Sequence, residues 1–140
     1  MIDLIPARPW MAERLKLQSA QLLTGQTMTP ENLDMAIGGG MALAGVAGDK
    51  TVGMAGIFER WEGVGMAWAL LSEDFASHRL SAFKLMKRAL DVSPLLRIEA
   101  HVAFGHEEGE RLLDHLGFAK EGVMRKFWQG CDYSLFARVR

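Results

Sequence analysis

The sequence predicts one mixed α/β domain, built on a twisted and mostly antiparallel sheet that contains a single parallel strand pair. Three strand-like segments, residues 41–47, 51–60 and 64–71, are joined by short polar or glycine-containing turns, which is the pattern of an antiparallel meander. After the third segment come an amphipathic helix and a strand at residues 97–104. The order strand, helix, strand indicates a crossover to a parallel neighbour. A chain of 140 residues is long enough to bury the core of one such domain.

The N-terminal part of the chain predicts a short strand and two helices. Residues 2–7 form the strand, and Pro9 suits the first position of a helix that ends near Gly25. Thr29 is a favourable N-cap for the second helix, which the three glycines at residues 38–40 terminate.

The helix expected at residues 78–92 follows a polar loop at residues 72–77. The loop connects it to the strand at residues 64–71, and Pro94 prevents its continuation. Its apolar stripe consists of Leu80, Phe83, Met86, Ala89 and Leu90.

The C-terminal half continues with a strand that has one apolar face, a helix and a hairpin. Apolar residues alternate along residues 97–104, with Glu99 and His101 on the other face. The helix at residues 107–116 ends at Gly117, where glycine can adopt the left-handed conformation. The hairpin comprises residues 123–128 and 131–139. Its apolar side chains Phe127, Trp128 and Phe136 are candidates for an exposed subunit contact.

The overall composition excludes several classes of function. A formal net charge of −1 argues against nucleic acid or an anionic membrane as a partner. A single cysteine, Cys131, rules out an internal disulfide and fits a reducing compartment. No apolar run reaches the roughly 20 residues of a membrane span, and the histidines and the cysteine lack the paired spacing of zinc sites. We therefore expect a cytoplasmic protein, or one packaged from the cytoplasm, without a metal.

Residues 111–125, RLLDHLGFAKEGVMR, carry the most specific local signal in the chain. Together with the order of the elements, this segment resembles the GNAT family of N-acetyltransferases, in which a helix is followed by Leu-Gly-Phe, an acidic residue with glycine, and an arginine. The chain is also similar to small phage proteins with an acetyltransferase-like domain, some of which are carried inside virions.

The resemblance implies a site for acetyl-CoA in a V-shaped cleft, where the strands at residues 64–71 and 97–104 splay apart. Backbone groups late in the first of these strands would face the pantetheine arm, and amides at the start of the next helix would hold the pyrophosphate. His106 would lie near the mouth of the cleft. The residues implied for the cofactor are Ala69, Leu70, Leu71, Ser77, His78, Arg79, Leu80 and His106.

The sequence departs from the family at two places. The family's phosphate loop, Gln/Arg-x-x-Gly-x-Gly/Ala, falls on Ala76, Arg79 and Ser81, none of which is the usual residue. Arg79 could contact phosphate directly, occupy the site, or form a surface ion pair. Counting back from the Leu-Gly-Phe segment places His106 at the family's asparagine and Leu113 at its tyrosine, the proton donor. Because leucine has no proton to give, another group or solvent would act as the acid.

Glu99 and His101 are the candidates for the base that removes a proton from the amine. The alternative for both is an ordinary solvated strand face. For His106, the alternatives are an acid, a partner of an amide, or a cap of the following helix.

Two functions follow from these residues. The first is an acetyl-CoA-dependent N-acetyltransferase, in which the amine of a small molecule or protein attacks the thioester directly. The second is a non-catalytic protein of the same fold, used for assembly or binding, as a homo-oligomer or a phage virion component.

Overall fold

The computed structural model of the protein describes residues 2–8, 10, 11 and 30–140. They form a seven-stranded sheet in the order β1-β2-β3-β4-β5-β7-β6. The strands are β1 (Asp3–Pro6), β2 (Gly40–Ala47), β3 (Lys50–Trp61), β4 (Val64–Leu71), β5 (Arg97–Ala103), β6 (Ala119–Trp128) and β7 (Cys131–Val139). The helices are α1 (Pro30–Gly38), α2 (Phe75–Val92) and α3 (Glu107–His115). The predicted helix from Pro9 to Gly25 and the N-cap Thr29 fall mostly outside the described residues.

The sheet is antiparallel except where β4 meets β5. These two strands pair in parallel through three residue pairs, Val64 with Arg97, Gly65 with Ile98 and Met66 with Glu99, and the ladder ends there. On its other side β5 pairs with β7 along its full length. The predicted mixed sheet with one splayed parallel pair is therefore confirmed.

Helix α2 differs in two respects from the helix predicted at residues 78–92. It begins at Phe75 rather than His78, so half of the predicted loop is helical. Leu80, predicted on the apolar stripe, is 75% exposed. The side of α2 that faces the sheet carries Ala82, Met86 and Leu90. At 3.6 residues per turn, Leu80 lies about 160° around the helix from Ala82, on the solvent side.

The end of α3 forms as the sequence indicates. Gly117 has a φ of 91°, and its N–H donates to the carbonyl of Asp114 at 3.1 Å. The N–H of Phe118 donates to the carbonyl of Leu113 at 2.9 Å, which completes a Schellman motif. The Phe118 side chain is buried, so this turn fastens α3 to the core.

Two hydrophobic clusters cover the two faces of the sheet. The first lies under α2 and α3 and contains Ile57, Leu90, Ile98, Ala100, Leu116, Phe118 and Phe136. The second, on the α1 face, contains Ala7, Met11, Ala44 and Met54, with Ile37 and Trp68 packed against it. Phe136 is thus a core residue and not part of an exposed contact, because β7 lies between two strands and both of its faces are covered. Phe104, predicted on the apolar face of β5, lies beyond the strand and is exposed.

No helix within the described part of the chain is long and apolar enough to cross a membrane.

Candidate functional site

A cavity of about 520 Å³ includes the opening between β4 and β5 and extends over β1–β3, where Leu4, Leu43 and Ala55 also line it. Ala67 and Trp68 are consecutive in β4 and therefore point to opposite faces of the sheet, yet both line the cavity. The cavity thus passes through the sheet where the ladder between the two strands has ended. Such a slot suits an extended ligand that enters on one face and presents its end on the other.

On the α2/α3 face the walls of the slot are apolar. The β4 residues on this side include Ala67 and Ala69, whose small side chains leave room next to Leu112 and Leu113 of α3. Of the residues predicted to face the pantetheine arm, Ala69 and Leu71 line the cavity. Leu70 alternates with them and is buried.

The residues predicted to hold the pyrophosphate lie in the first two turns of α2. Asp74 occupies the N-cap without a side-chain capping bond, and its N–H donates to Ser72 Oγ at 3.2 Å. The N–H of Phe75 donates to the Ser72 carbonyl at 3.1 Å. Ser72 therefore starts the helix early, which moves Phe75, Ala76 and Ser77 from the predicted loop into the helix. Ser77 Oγ donates to the carbonyl of Asp74 at 2.9 Å, and Arg79 is exposed.

His106 lies at the N-cap of α3, without a side-chain capping bond, and lines the cavity. Its ring packs on the helix backbone at Gly109, where a Cβ atom would approach His106 Nδ1 to 2.8 Å. The absence of a side chain at position 109 thus lets the imidazole lie against α3.

Glu99 is occupied by ion pairs. One carboxylate oxygen accepts from Arg60 Nη1 at 3.0 Å, and the other accepts from Arg97 Nε at 2.9 Å. Arg97 also binds Glu121, and this hydrogen bond lowers the pKa of the Glu121 carboxyl. The Glu99 side chain is 14% exposed and is not among the residues that line the cavity. The structure therefore separates Glu99 from the slot.

His101 lines the cavity on the α1 face, one alternation further along β5. Its ring makes an edge contact with Phe127 at 5.0 Å between centroids. Burial lowers the pKa of His101 from its ordinary value of 6.5, and the positive charge of Arg60 acts in the same direction, against the opposing effect of Glu99. The imidazole is therefore neutral at pH 7. A solvated strand face, the alternative for this residue, is wrong because its ring is half-buried against Phe127.

Three further polar groups line the cavity and were not identified from the sequence. They are Trp68 Nε1, Trp128 Nε1 and the Tyr133 hydroxyl, which are buried without a hydrogen-bond partner among the described residues. Sequence reasoning treated the tryptophans as packing and Tyr133 as one residue of an alternating hairpin strand. The available signal was that a buried tyrosine or tryptophan normally needs a partner for its polar atom, and Tyr133 is the chain's only tyrosine.

Neither a protein-family model nor a curated protein matches this chain. Solved structures do match. An acetyltransferase of the GNAT family from Streptococcus pneumoniae aligns with a TM-score of 0.70 at 16% identity, over 100% of both chains. A spermidine N-acetyltransferase chimera from Vibrio cholerae and hSSAT gives 0.74 at 15%, over 99% of this chain and 95% of the other. A ribosomal-protein-S5-alanine acetyltransferase from Vibrio fischeri gives 0.67 at 16%, over 99% and 92%. The chain therefore has the GNAT acetyltransferase fold.

Proposed function

We propose that this protein is an acetyl-CoA-dependent N-acetyltransferase, in which an amine attacks the thioester directly. The observation that carries the proposal is the slot through the sheet, with His101 on its α1 side. The structural neighbours described above, which are named as acetyltransferases, support the same class of reaction.

The shape and lining of the slot fit the cosubstrate. Its apolar walls beside Ala69 and Leu71 suit the pantetheine arm, whose amides can pair with β4 backbone groups. The pyrophosphate would lie at the start of α2, near Ser77 and His78. Arg79 is exposed in this helix, and its guanidinium can pair with phosphate through two hydrogen bonds. Leu80 adds an apolar surface for the remainder of the cosubstrate, and His106 lies where the slot meets α3.

In this proposal His101 is the base. Its neutral imidazole accepts the proton from the amine as the nitrogen forms a bond to the acetyl carbon. The bond from that carbon to sulfur then breaks, and coenzyme A leaves as a thiolate. Leu113, at the position of the family's tyrosine, cannot protonate the thiolate, so solvent supplies that proton. Glu99 contributes negative charge near His101 while its oxygens remain bound to Arg60 and Arg97.

Titration calorimetry of acetyl-CoA tests the proposal. We expect micromolar binding, weakened about tenfold by Arg79→Ala, because a charged hydrogen bond to phosphate is lost. Arg88→Ala is the matched control, since Arg88 is exposed further along the same helix. No binding at millimolar acetyl-CoA in a folded sample would overturn the proposal.

The second candidate is a non-catalytic protein with this fold, serving as a structural or accessory component of a phage particle. Two observations favour it. Ala76 replaces the usual Gln/Arg of the phosphate loop, and Arg79 and Ser81 replace its usual glycines. Asp74 places a carboxyl at the N-cap where phosphate would bind. The same titration separates the two candidates. A protein partner or a homo-oligomer found by size-exclusion chromatography with light scattering, together with no acetyl-CoA binding, supports the second.

A further inference from the structure

We propose that the α1 side of the slot binds an aromatic amine that carries an uncharged oxygen acceptor, such as an amide carbonyl. The inference rests on the proposed function, because it names the class of acetyl acceptor. The surface concerned, which we term the aromatic wall, consists of Trp68, His101, Phe127, Trp128 and Tyr133.

Strand registers place the aromatic wall on one face of the sheet. His101 and Ala103 alternate on β5, and Ala103 pairs with Tyr133 of β7. Trp128 pairs with Cys131, two residues before Tyr133, and therefore lies on the same face. The Phe127 ring lies between the others, 5.0 Å from His101 and 5.5 Å from Tyr133 between centroids. Such ring edges and faces suit a flat aromatic ligand.

Trp68 forms the opposite side of the opening, on β4. It pairs with Gly56, and its indole lies over the backbone there, since a Cβ at Gly56 would be 2.9 Å from Trp68 Nε1. The indole is thus held between the second core cluster and the cavity. A ligand in the slot would therefore lie between Trp68 of β4 and His101 of β5, the two strands that diverge.

The buried polar atoms of the wall define what the ligand must offer. The two indole N–H groups are donors only, and the tyrosine hydroxyl is a donor as well as an acceptor. None has a hydrogen-bond partner among the described residues, and Tyr133 is only 5% exposed. Buried donors without partners are costly, so a ligand oxygen that accepts from them gains affinity and orientation. The ligand therefore carries at least one oxygen acceptor.

The charge of the lining decides between classes of amine. The described residues that line the cavity include no aspartate, glutamate, lysine or arginine. The nearest carboxylate on β5, Glu99, is already paired with Arg60 and Arg97. An ammonium or a carboxylate would be desolvated there without a counter-charge. An aromatic amine is uncharged at neutral pH and is ready to attack, and an amide carbonyl accepts hydrogen bonds without bringing a charge.

The inference is tested by measuring the binding of four amines to the full chain, with the quenching of tryptophan fluorescence as the readout. The probes are para-aminobenzamide, aniline, para-aminobenzoate and spermidine. We expect para-aminobenzamide to bind about three- to tenfold more tightly than aniline, as one or two hydrogen bonds predict. Spermidine and para-aminobenzoate should bind more weakly than aniline. Tighter binding of either charged probe would overturn the inference.

Variants identify the atoms responsible. Tyr133→Phe and Trp128→Phe should each weaken the binding of para-aminobenzamide more than that of aniline, and so remove most of the preference between the two. Trp61→Phe is the control, because Trp61 is an exposed tryptophan at the far end of β3. Unchanged preference in both folded variants would contradict the inference.

The two proposals fail separately. Amine binding is measured without acetyl-CoA. If the aromatic wall is selective but the protein does not bind acetyl-CoA, this inference stands as a ligand site and only the proposed acetyltransferase function is overturned. If acetyl-CoA binds and spermidine is acetylated faster than para-aminobenzamide, the acetyltransferase stands and this inference is wrong.

Discussion

Replacing Arg138 by alanine should destabilise the protein more than any other single change at a charged surface residue of β6 or β7. Arg138 Nε donates to the carbonyl of Leu116 at 3.1 Å, and Nη1 donates to the carbonyl of Leu90 at 2.9 Å. These carbonyls lie at the C-terminal ends of α3 and α2, where backbone acceptors have few partners within the helix. The Leu90 carbonyl also accepts from the N–H of the C-cap residue Ser93 at 3.3 Å. One guanidinium on β7 therefore fastens both helices that cover the first core cluster.

The size of the effect follows from these two bonds. A hydrogen bond to a charged group contributes about 1.5–3 kcal/mol, and the side chain is 23% exposed, which reduces the value. We expect a loss of about 3 kcal/mol in the free energy of unfolding, or roughly 10 °C in Tm for a domain of this size. The additional pair with Asp91 is exposed to solvent, and we assign it no part of this loss.

Urea unfolding followed by circular dichroism measures the change. Arg138→Lys should retain part of the stability, because an ammonium can reach one carbonyl but not both. Arg125→Ala, at an exposed position on β6, is the control and should change the free energy of unfolding by less than about 0.5 kcal/mol. A loss in Arg138→Ala no larger than in this control would refute the reasoning.

Three other predictions concern the slot. Because burial lowers the pKa of His101, the rate of acetyl transfer should rise with pH along a limb centred below 6.5 and then level off. His101→Gln should remove this limb from the pH–rate profile and lower kcat about 10²- to 10⁴-fold. A limb centred above 6.5 would contradict the prediction. Glu99→Gln should lower the free energy of unfolding in urea by about 1–2 kcal/mol, because Arg60 and Arg97 each lose a charged hydrogen bond while Arg97 keeps its pair with Glu121. It should retain most of the rate, and a loss of rate equal to that of His101→Gln would identify Glu99 as the base. Gly56→Ala would bring a methyl group 2.6 Å from the Met41 carbonyl and 2.9 Å from the Trp68 indole. It should therefore shift tryptophan emission and lower the free energy of unfolding by about 1–3 kcal/mol. Gly122→Ala is the control and should change neither, because nothing lies within 4 Å of the added methyl group.

The sequence predicted the elements whose signals are local. The bounds of β4 and β7 agree with the apolar runs that define them, and Gly117 ends α3 as its position indicates. The start of α2 was missed because Ser72 accepts hydrogen bonds from two amides that follow it, so the polar run continues as helix rather than loop. Leu80 was misplaced because the helix is rotated about its axis by its contacts with the sheet, which periodicity alone leaves open over a few turns.

The candidate site was predicted less well because it depends on contacts between distant parts of the chain. Glu99 and His101 are equivalent in sequence, both on one face of β5, but Arg60 from β3 pairs with Glu99 and leaves His101 in the cavity. The aromatic wall requires the register of three strands before Tyr133 and Trp128 can be placed next to His101. Neither register nor ion pairing is encoded in local spacing, and both decide which side chains reach the slot.

The short ladder between β4 and β5 also has a mechanical consequence. Three residue pairs at one end join two otherwise continuous halves of the sheet. We therefore expect relative motion of the two halves to occur about this joint, which acts as a hinge, and to be largest at the open ends of the strands. The ion pair from Arg60 to Glu99 connects the two halves near this joint. Rotation by a few degrees at Gly65 and Ile98 would change the gap at Leu71 and Ala103 by far more than the gap at the hinge. We therefore expect amide hydrogen exchange at Gly65 and Ile98 to change when a ligand fills the slot, although neither residue needs to touch that ligand.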